Sequence, residues 1–451
     1  MNSGGRSGAL VERARGMRGW RAHALLLLMF ALLATPLIAH EATHNRELSI
    51  FDEWQYAERV HQVATGDVWM RNGEVIGPWA QGTRACRGII RVVPPQPAPC
   101  FGNEPVLIAN SAASDPPPYF VATGAVTGVL LATGITDNAV TTGRLVGILW
   151  AALSMWSLFL LFRAVGATRA GSLVVALTPL LVPAFLQQYT FITPHALDIP
   201  VGAFAALATL RFLRAEWPWW TLVLAGLGVA GVKGSNIAVV VGLGIALLAV
   251  MAWPRLRGAG AAAAGEHPLG AAVRLRALVA GVALAGSTVA FTVAWMLVVK
   301  ATQLVEPPPP GDYAVDSLAP AALVTDSIRF LSLLGEGPLL APGLWFLMAM
   351  SGSALAIWTG LARPQLPFVR QLAPGFLLGA ALAPIVLDLM VFVTTGQYIG
   401  IQFRYGLALF PLGLAFAALL LRSRTSVVVA LAALLLYAAS PALAGLDSIA
   451  M

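Results

Sequence analysis

Charge is what this chain has least of. Only 11% of its 451 residues are Asp, Glu, Lys or Arg, against 58% hydrophobic. So few charges cannot clothe a water-facing surface, which excludes an ordinary soluble domain. Apolar runs of about 20 residues recur and mark a polytopic membrane protein. Lysine is nearly absent: of 28 basic residues only Lys233 and Lys300 are lysines. The net charge of +7 makes no nucleic-acid surface, because the arginines sit as short groups between apolar runs. Cysteine is limited to Cys86 and Cys100. No His, Cys and carboxylate cluster has the local spacing of a zinc site. A glycine-rich phosphate loop after a strand and a nucleophile elbow are both missing, so nucleotide hydrolysis and serine-hydrolase chemistry have no support.

What the chain does have is a regular alternation of arginines and apolar runs. Arg6, Arg13, Arg15, Arg18 and Arg21 precede a run from Ala24 to Ala39. A signal peptide cut near Ala39-His40-Glu41-Ala42 competes with an uncleaved first span. The length of the run and the spans that follow favour the span. With these arginines in the cytoplasm, the chain emerges outside near His40. A hydrophilic, Pro-rich outer loop follows, 40–118. The Gly-broken stretch 119–135 is expected at the surface or re-entering, because a crossing there would put Arg163 and Arg169 outside. Further spans are expected at about 142–162, 171–192, 196–213, 218–232, 237–253, 277–299, 339–360, 373–395, 405–421 and 425–444. The expectation is an all-α, multi-pass protein of the cell (inner) membrane with about eleven transmembrane helices. One domain covers 1–425, with a second outer loop at 301–338; residues 426–451 add a last helix and an outer tail.

Just beyond the first span lies Ser49-Ile50-Phe51-Asp52-Glu53-Trp54-Gln55-Tyr56-Ala57-Glu58-Arg59. Ser49 with Asp52 reads as a capping box, and Gly66 suits the close of the helix after about four turns. Ile50, Trp54, Ala57, Val60 and Ala64 share one apolar face. Asp52, Tyr56 and Arg59 share another. Such an amphipathic helix lies along the lipid–water boundary. The bland reading of its acidic residues is that they complement the helix dipole. Other polar clusters (Asp115, Thr193-Pro194-His195, Lys233, Asp312, Gln402-Phe403-Arg404-Tyr405) fall on the same outer side. Polar groups near membrane depth are costly, and one shared site accounts for their sidedness. Both cysteines lie in the outer loop, where a disulfide persists; a Cys86–Cys100 bond holding the loop over the site is expected, with two free thiols as the alternative.

Several stretches resemble the GT-C class of membrane glycosyltransferases, and a large group of bacterial membrane proteins that share its plan without an assigned function. They are Phe51-Asp52-Glu53-Trp54, Asp115-Pro116-Pro117-Pro118-Tyr119-Phe120, Gly143-Arg144-Leu145, the Gly226–Ser235 stretch with Lys233, and Gln402-Phe403-Arg404-Tyr405 with Pro411. The likeness covers residues 20–425 and rests on the order of motifs. Two departures stand out: His195 where relatives often carry Asp, and Phe403 where they carry Gly.

The resemblance implies transfer of a sugar from a polyprenyl-phosphate donor to an extracytoplasmic acceptor, whether envelope glycan, lipid or protein, with the bilayer as the other partner. It implies Asp52 as the base and Glu53 as a second acid. A divalent cation such as Mg or Mn at Asp52 and Glu53 suits the hardness of carboxylate and phosphate oxygens. Arg404, and after it Lys233, suit the leaving phosphate. For Arg404 the alternative is snorkelling at a span end or pairing with Asp388 or another carboxylate, and for Lys233 it is a solvated lysine in a turn between short spans. Tyr405 and Tyr56 line the site or belong to the interface belt. His195 binds a metal, orients a substrate or is a satisfied polar residue. Two other readings stay open: a transporter or flippase, for which mid-span Asp388 speaks, and a scaffold that kept the plan without the activity.

Overall fold

The computed structural model describes residues 5–50, 52–90, 92–97, 109–256, 271–304, 368–395 and 402–443, with isolated positions at 100, 320, 323–324, 327 and 398. The expected span at 339–360, and Asp312, Asp316 and Asp326 of the second outer loop, lie outside the described residues. Every regular element among the described residues is helical; pairing of extended backbone is limited to isolated bridges such as Leu48 with Ile89.

The first helix, α1 (Gly5–His44), shows how the bundle is assembled. Phe30, Ala34 and Ile38, four residues apart, are fully buried, while Leu25, Leu28 and Leu32 on the same helix are more than half exposed. One stripe of the helix therefore meets protein and the rest suits lipid. Its partner is α6 (Gly147–Ala164), reached through the loop helices α2 (Glu53–Ala64), α3 (Pro78–Arg87), α4 (Pro118–Ala132) and α5 (Ala139–Leu145). Helices α7 (Arg169–Ala176), α8 (Thr178–Leu181) and α9 (Pro183–Thr190) follow. They form an apolar helical pair bent by 65°, with Pro179 and Pro183 each in the first turn of a new helical piece. The chain continues through α10 (Asp198–Leu213), α11 (Trp220–Val232), α12 (Ile237–Leu256) and α13 (Ala271–Ala301), and ends in α14 (Val369–Thr395), α15 (Phe410–Leu420) and α16 (Arg424–Leu443).

Six of the described helical stretches are long and apolar enough to cross a membrane, or seven with the bent pair as one span. That is fewer than the eleven expected. The stretches at 220–232, 404–420 and 424–439 form shorter apolar helices. Stretch 119–135 becomes α4, 15 residues long and laid along α2. Gly124 and Gly128 permit that closeness: a Cβ on either would press into Val63 or the backbone of Ala64. Gly202 does the same for α10, whose backbone rests on the Ala408 carbonyl.

Helix α2 differs from its expected form. It does not expose a polar face at a boundary, because Glu53, Gln55, Glu58 and Arg59 are buried along with Trp54, Tyr56, Ala57 and Val60. Residues that follow it in the chain fold over it and supply partners. Asn110 donates to Glu58 at 2.7 Å and to the Gln55 carbonyl at 3.2 Å, and the Ser111 amide donates to the Gln55 side chain at 2.6 Å. The capping box does not form either. Asp52 occupies the N-cap with φ 61° and makes no capping bond, while the Ser49 amide donates to Glu53 Oε2 at 2.7 Å. Gly66, at φ 104°, takes the closing position just after the Thr65 cap.

Cys86 and Cys100 are joined across a Cα–Cα distance of 4.9 Å, tying the end of α3 to the loop beyond it. Unreduced protein should therefore have an intact mass lower by two hydrogens than reduced protein. Cys86→Ser should cost about 3 kcal/mol of stability by the loop-entropy argument, seen as a lower unfolding midpoint in detergent.

Candidate functional site

The bundle has two chemically different ends. At one, the residues just after α1 meet α5: Arg144 donates to the Asn45 and Glu47 carbonyls, each at 2.6 Å. At the other, Arg214 reaches from the end of α10 to the Ala164 carbonyl at the end of α6, 2.7 Å away. Most of the polar clusters singled out in the sequence collect at the first end.

Asp52 is the accessible carboxylate there. Its side chain is 41% exposed, and Oδ2 lies 3.9 Å from the Arg404 guanidinium. A non-glycine residue in the left-handed region is strained, and such strain persists where the surroundings over-determine it. Here the backbone turn aims the side chain at Arg404, clear of the helix end it would otherwise cap. Burial of its surroundings pushes the Asp52 carboxyl above the ordinary aspartate range. Arg404 and Lys233 oppose that push, and Asp115 adds to it.

Lys233, in the short link between α11 and α12, is buried. Its ammonium donates to the Tyr56 hydroxyl at 3.0 Å and pairs with Asp115 Oδ2 at 2.9 Å. Asp115 is held in turn by Arg59, which donates to its carbonyl at 2.8 Å and also to the Ala112 carbonyl. Trp295 of α13 donates to the Ser114 carbonyl at 2.8 Å. The loop beside the site is thus gripped by α2 and α13 together.

Arg404 lies in the first turn of the short 3-10 helix Phe403–Leu409 and is buried. Its guanidinium lies 5.3 Å from the centre of the Tyr405 ring. Tyr405 also presents its ring to His195, centroids 5.4 Å apart at near right angles. His195 is buried, and its Nδ1 lies 2.5 Å from Asp198 Oδ2. That contact engages Nδ1 and leaves Nε2 as the other polar atom of the ring. Six residues singled out in the sequence (Asp52, Tyr56, His195, Lys233, Arg404, Tyr405) therefore share one neighbourhood, linked by these contacts.

Glu53 does not share it. The residue is fully buried and both oxygens are engaged: Arg144 grips them from Nε and Nη2 at 2.7 and 2.8 Å, and the Ser49 and Ile192 amides complete the set. A carboxylate so occupied is a structural anchor with no lone pairs turned toward Asp52, and does not fit the role of second acid or metal ligand. Among the described residues, no group of three or more His, Cys, Asp or Glu side chains is arranged to hold a metal ion. The Asp52–Glu53 pair is accordingly a poor fit for Mg or Mn.

Three residues given no site role from the sequence hold this neighbourhood in place, Asp115 and Asp198 within it and Arg144 at Glu53 beside it. Asp115 carried a signal in its Asp-Pro-Pro-Pro-Tyr setting. Asp198 carried another, as a carboxylate inside the apolar run 196–213. Arg144 opened an apolar run, where an arginine asks for a partner; nothing local indicated that the partner is Glu53.

Residues 127–264 match the model of a family described as dolichyl-phosphate-mannose-protein mannosyltransferase. That stretch holds Arg144, His195, Asp198 and Lys233. Among solved structures, the oligosaccharyltransferase of Archaeoglobus fulgidus in the apo form is similar at 14% identity and a TM-score of 0.43. The likeness covers 95% of this chain and 56% of that one, so the chain spans little more than half its length. No curated protein matches the chain. The family match supports a GT-C glycosyltransferase-like membrane protein, in line with the motif resemblance.

Arg144→Met should leave the Glu53 carboxylate buried and uncompensated, a change that costs about 3–5 kcal/mol. The expected outcome is a markedly lower thermal midpoint in detergent. An unchanged midpoint would mean that the pair does not anchor the fold.

Proposed function

We propose that this chain transfers a sugar from a polyprenyl-phosphate donor to an extracytoplasmic acceptor, with Asp52 as the base. The single observation that carries the reading is an accessible carboxylate 3.9 Å from one buried cation, beside a second at Lys233. Displacement at a sugar carbon needs this combination. Asp52 takes the proton from the acceptor hydroxyl as its oxygen bonds to the sugar carbon. The bond from that carbon to the phosphate oxygen breaks, and the phosphate leaves with the electron pair. Arg404 and Lys233 stabilise the growing negative charge on it. No covalent sugar–enzyme intermediate is required, which corresponds to inversion at the sugar carbon.

The remaining residues position these three. Tyr56 and Asp115 fix the Lys233 ammonium. Arg59 and Trp295 fix the loop carrying Asp115. Tyr405 sits between Arg404 and His195. The Glu53–Arg144 pair sets where α2, and therefore Asp52, begins.

The direct test incubates purified protein with a panel of polyprenyl-phosphate sugars and follows release of polyprenyl phosphate. Release by wild type and its loss in folded Asp52→Asn is the expected result. No release from any donor by folded wild-type protein moves the reading to the transporter or scaffold. Equal release by Asp52→Asn removes Asp52 as the base.

The pH profile provides a further check. The base works only when ionised, so the rate should rise with pH through the value of the Asp52 carboxyl, which lies above the ordinary aspartate range. Arg404 is the largest influence holding that carboxyl ionised. Arg404→Ala should therefore lower the rate by about 10²-fold and also move the acid limb to higher pH. A slower variant with an unmoved acid limb would separate Arg404 from Asp52.

A further inference from the structure

We propose that the end of the bundle opposite Asp52 holds a second binding site, for an anionic phospholipid. A cavity of about 630 Å³ lies between α1, α6, α10 and α11. Its walls are apolar, with Leu160, Val201, Phe204 and Leu207 among them. It runs from Leu197, just before α10, to Arg211 near the end of that helix, 14 residues apart in sequence. At 1.5 Å per residue that is roughly 21 Å, more than the ~15 Å of one leaflet's hydrocarbon.

One end of this cavity is cationic. His23, Arg163 and Arg211 line it, and no carboxylate does so among the described residues. Arg163 lies on the surface, and Arg211, paired with Glu216, keeps 37% of its side chain exposed. Exposed Arg21 and Arg169 lie close by in the chain. The same end carries exposed tryptophans, Trp20, Trp219 and Trp220, each more than half accessible, as expected at headgroup depth. An apolar slot of acyl-chain length opening beneath several cations complements a negatively charged headgroup with its tail inserted. The polyprenyl-phosphate donor is a poor occupant, since its phosphate would be held at the far end of the bundle from Asp52. This site does not depend on the proposed transferase activity.

The test uses the full chain, purified and delipidated in mild detergent, with phosphatidylglycerol and phosphatidylcholine of the same acyl chains as probes. Bound lipid is read by native mass spectrometry. Phosphatidylglycerol should be retained at least fivefold better, and Arg163→Gln and Arg211→Gln should each weaken its retention about fivefold. Val201→Trp, which fills the slot and leaves the cations in place, should also reduce retention. Inorganic phosphate at matched ionic strength should not displace the lipid. Equal retention of the two lipids by wild type, or displacement by phosphate, overturns the proposal without any variant. Unchanged retention in folded Val201→Trp overturns it as well, since the lipid would then be held by its headgroup alone.

Discussion

Arg144 and Glu53 lie 91 residues apart in the chain and meet with no solvent at either side chain. Two charges taken out of water are tolerable only where every oxygen and N–H finds a partner. The Asn45 and Glu47 carbonyls just after α1, the Ser49 amide before α2 and the Ile192 amide after α9 supply those partners. Three separate stretches of chain, 45–53, the one with Arg144 and the one with Ile192, are thereby pinned to one point, beside the residue that becomes the accessible carboxylate. Adjacent in sequence, Asp52 and Glu53 have opposite fates. One is sunk into the fold so that the other can be held at its surface in a left-handed turn.

Around that anchor the bundle is chemically polarised. The end with Asp52, Lys233, Asp115, His195 and Arg404 mixes both signs of charge and buries most of it, so each cation there has a defined carboxylate or aromatic neighbour. At the other end arginines are exposed or paired locally, beside tryptophans and an apolar slot. Buried, mutually oriented charges are suited to holding a reacting group in fixed geometry. Exposed arginines at span ends suit a charged lipid surface. The same residue type therefore serves two purposes, divided by depth and by partner.

The fold class was legible because lipid imposes it: an unpaired backbone group in hydrocarbon is so costly that long apolar runs become helices. Runs near 24–39, 142–162 and 277–299 accordingly lie within helices. The number of crossings was less legible. Hydropathy does not register that Pro179 and Pro183 break a run into bent pieces, nor that 220–232 stops at thirteen residues. Helix α2 was misread for a related reason. Its periodicity was real, but a polar face implies water only where nothing else can pair with it, and the folded loop supplies Asn110, Ser111 and Gly77.

Sequence alone determined that the chain is a helical membrane protein and that its scarce polar clusters group on one side, because hydrophobicity and arginine alternation are local properties read by the bilayer. It also determined which residue types were out of place in apolar surroundings. Which carboxylate of Asp52-Glu53 stays accessible, and that Lys233 pairs with Asp115, were decided only by tertiary structure. Those outcomes depend on distances between residues far apart in the chain, or on burial that no neighbouring residue encodes.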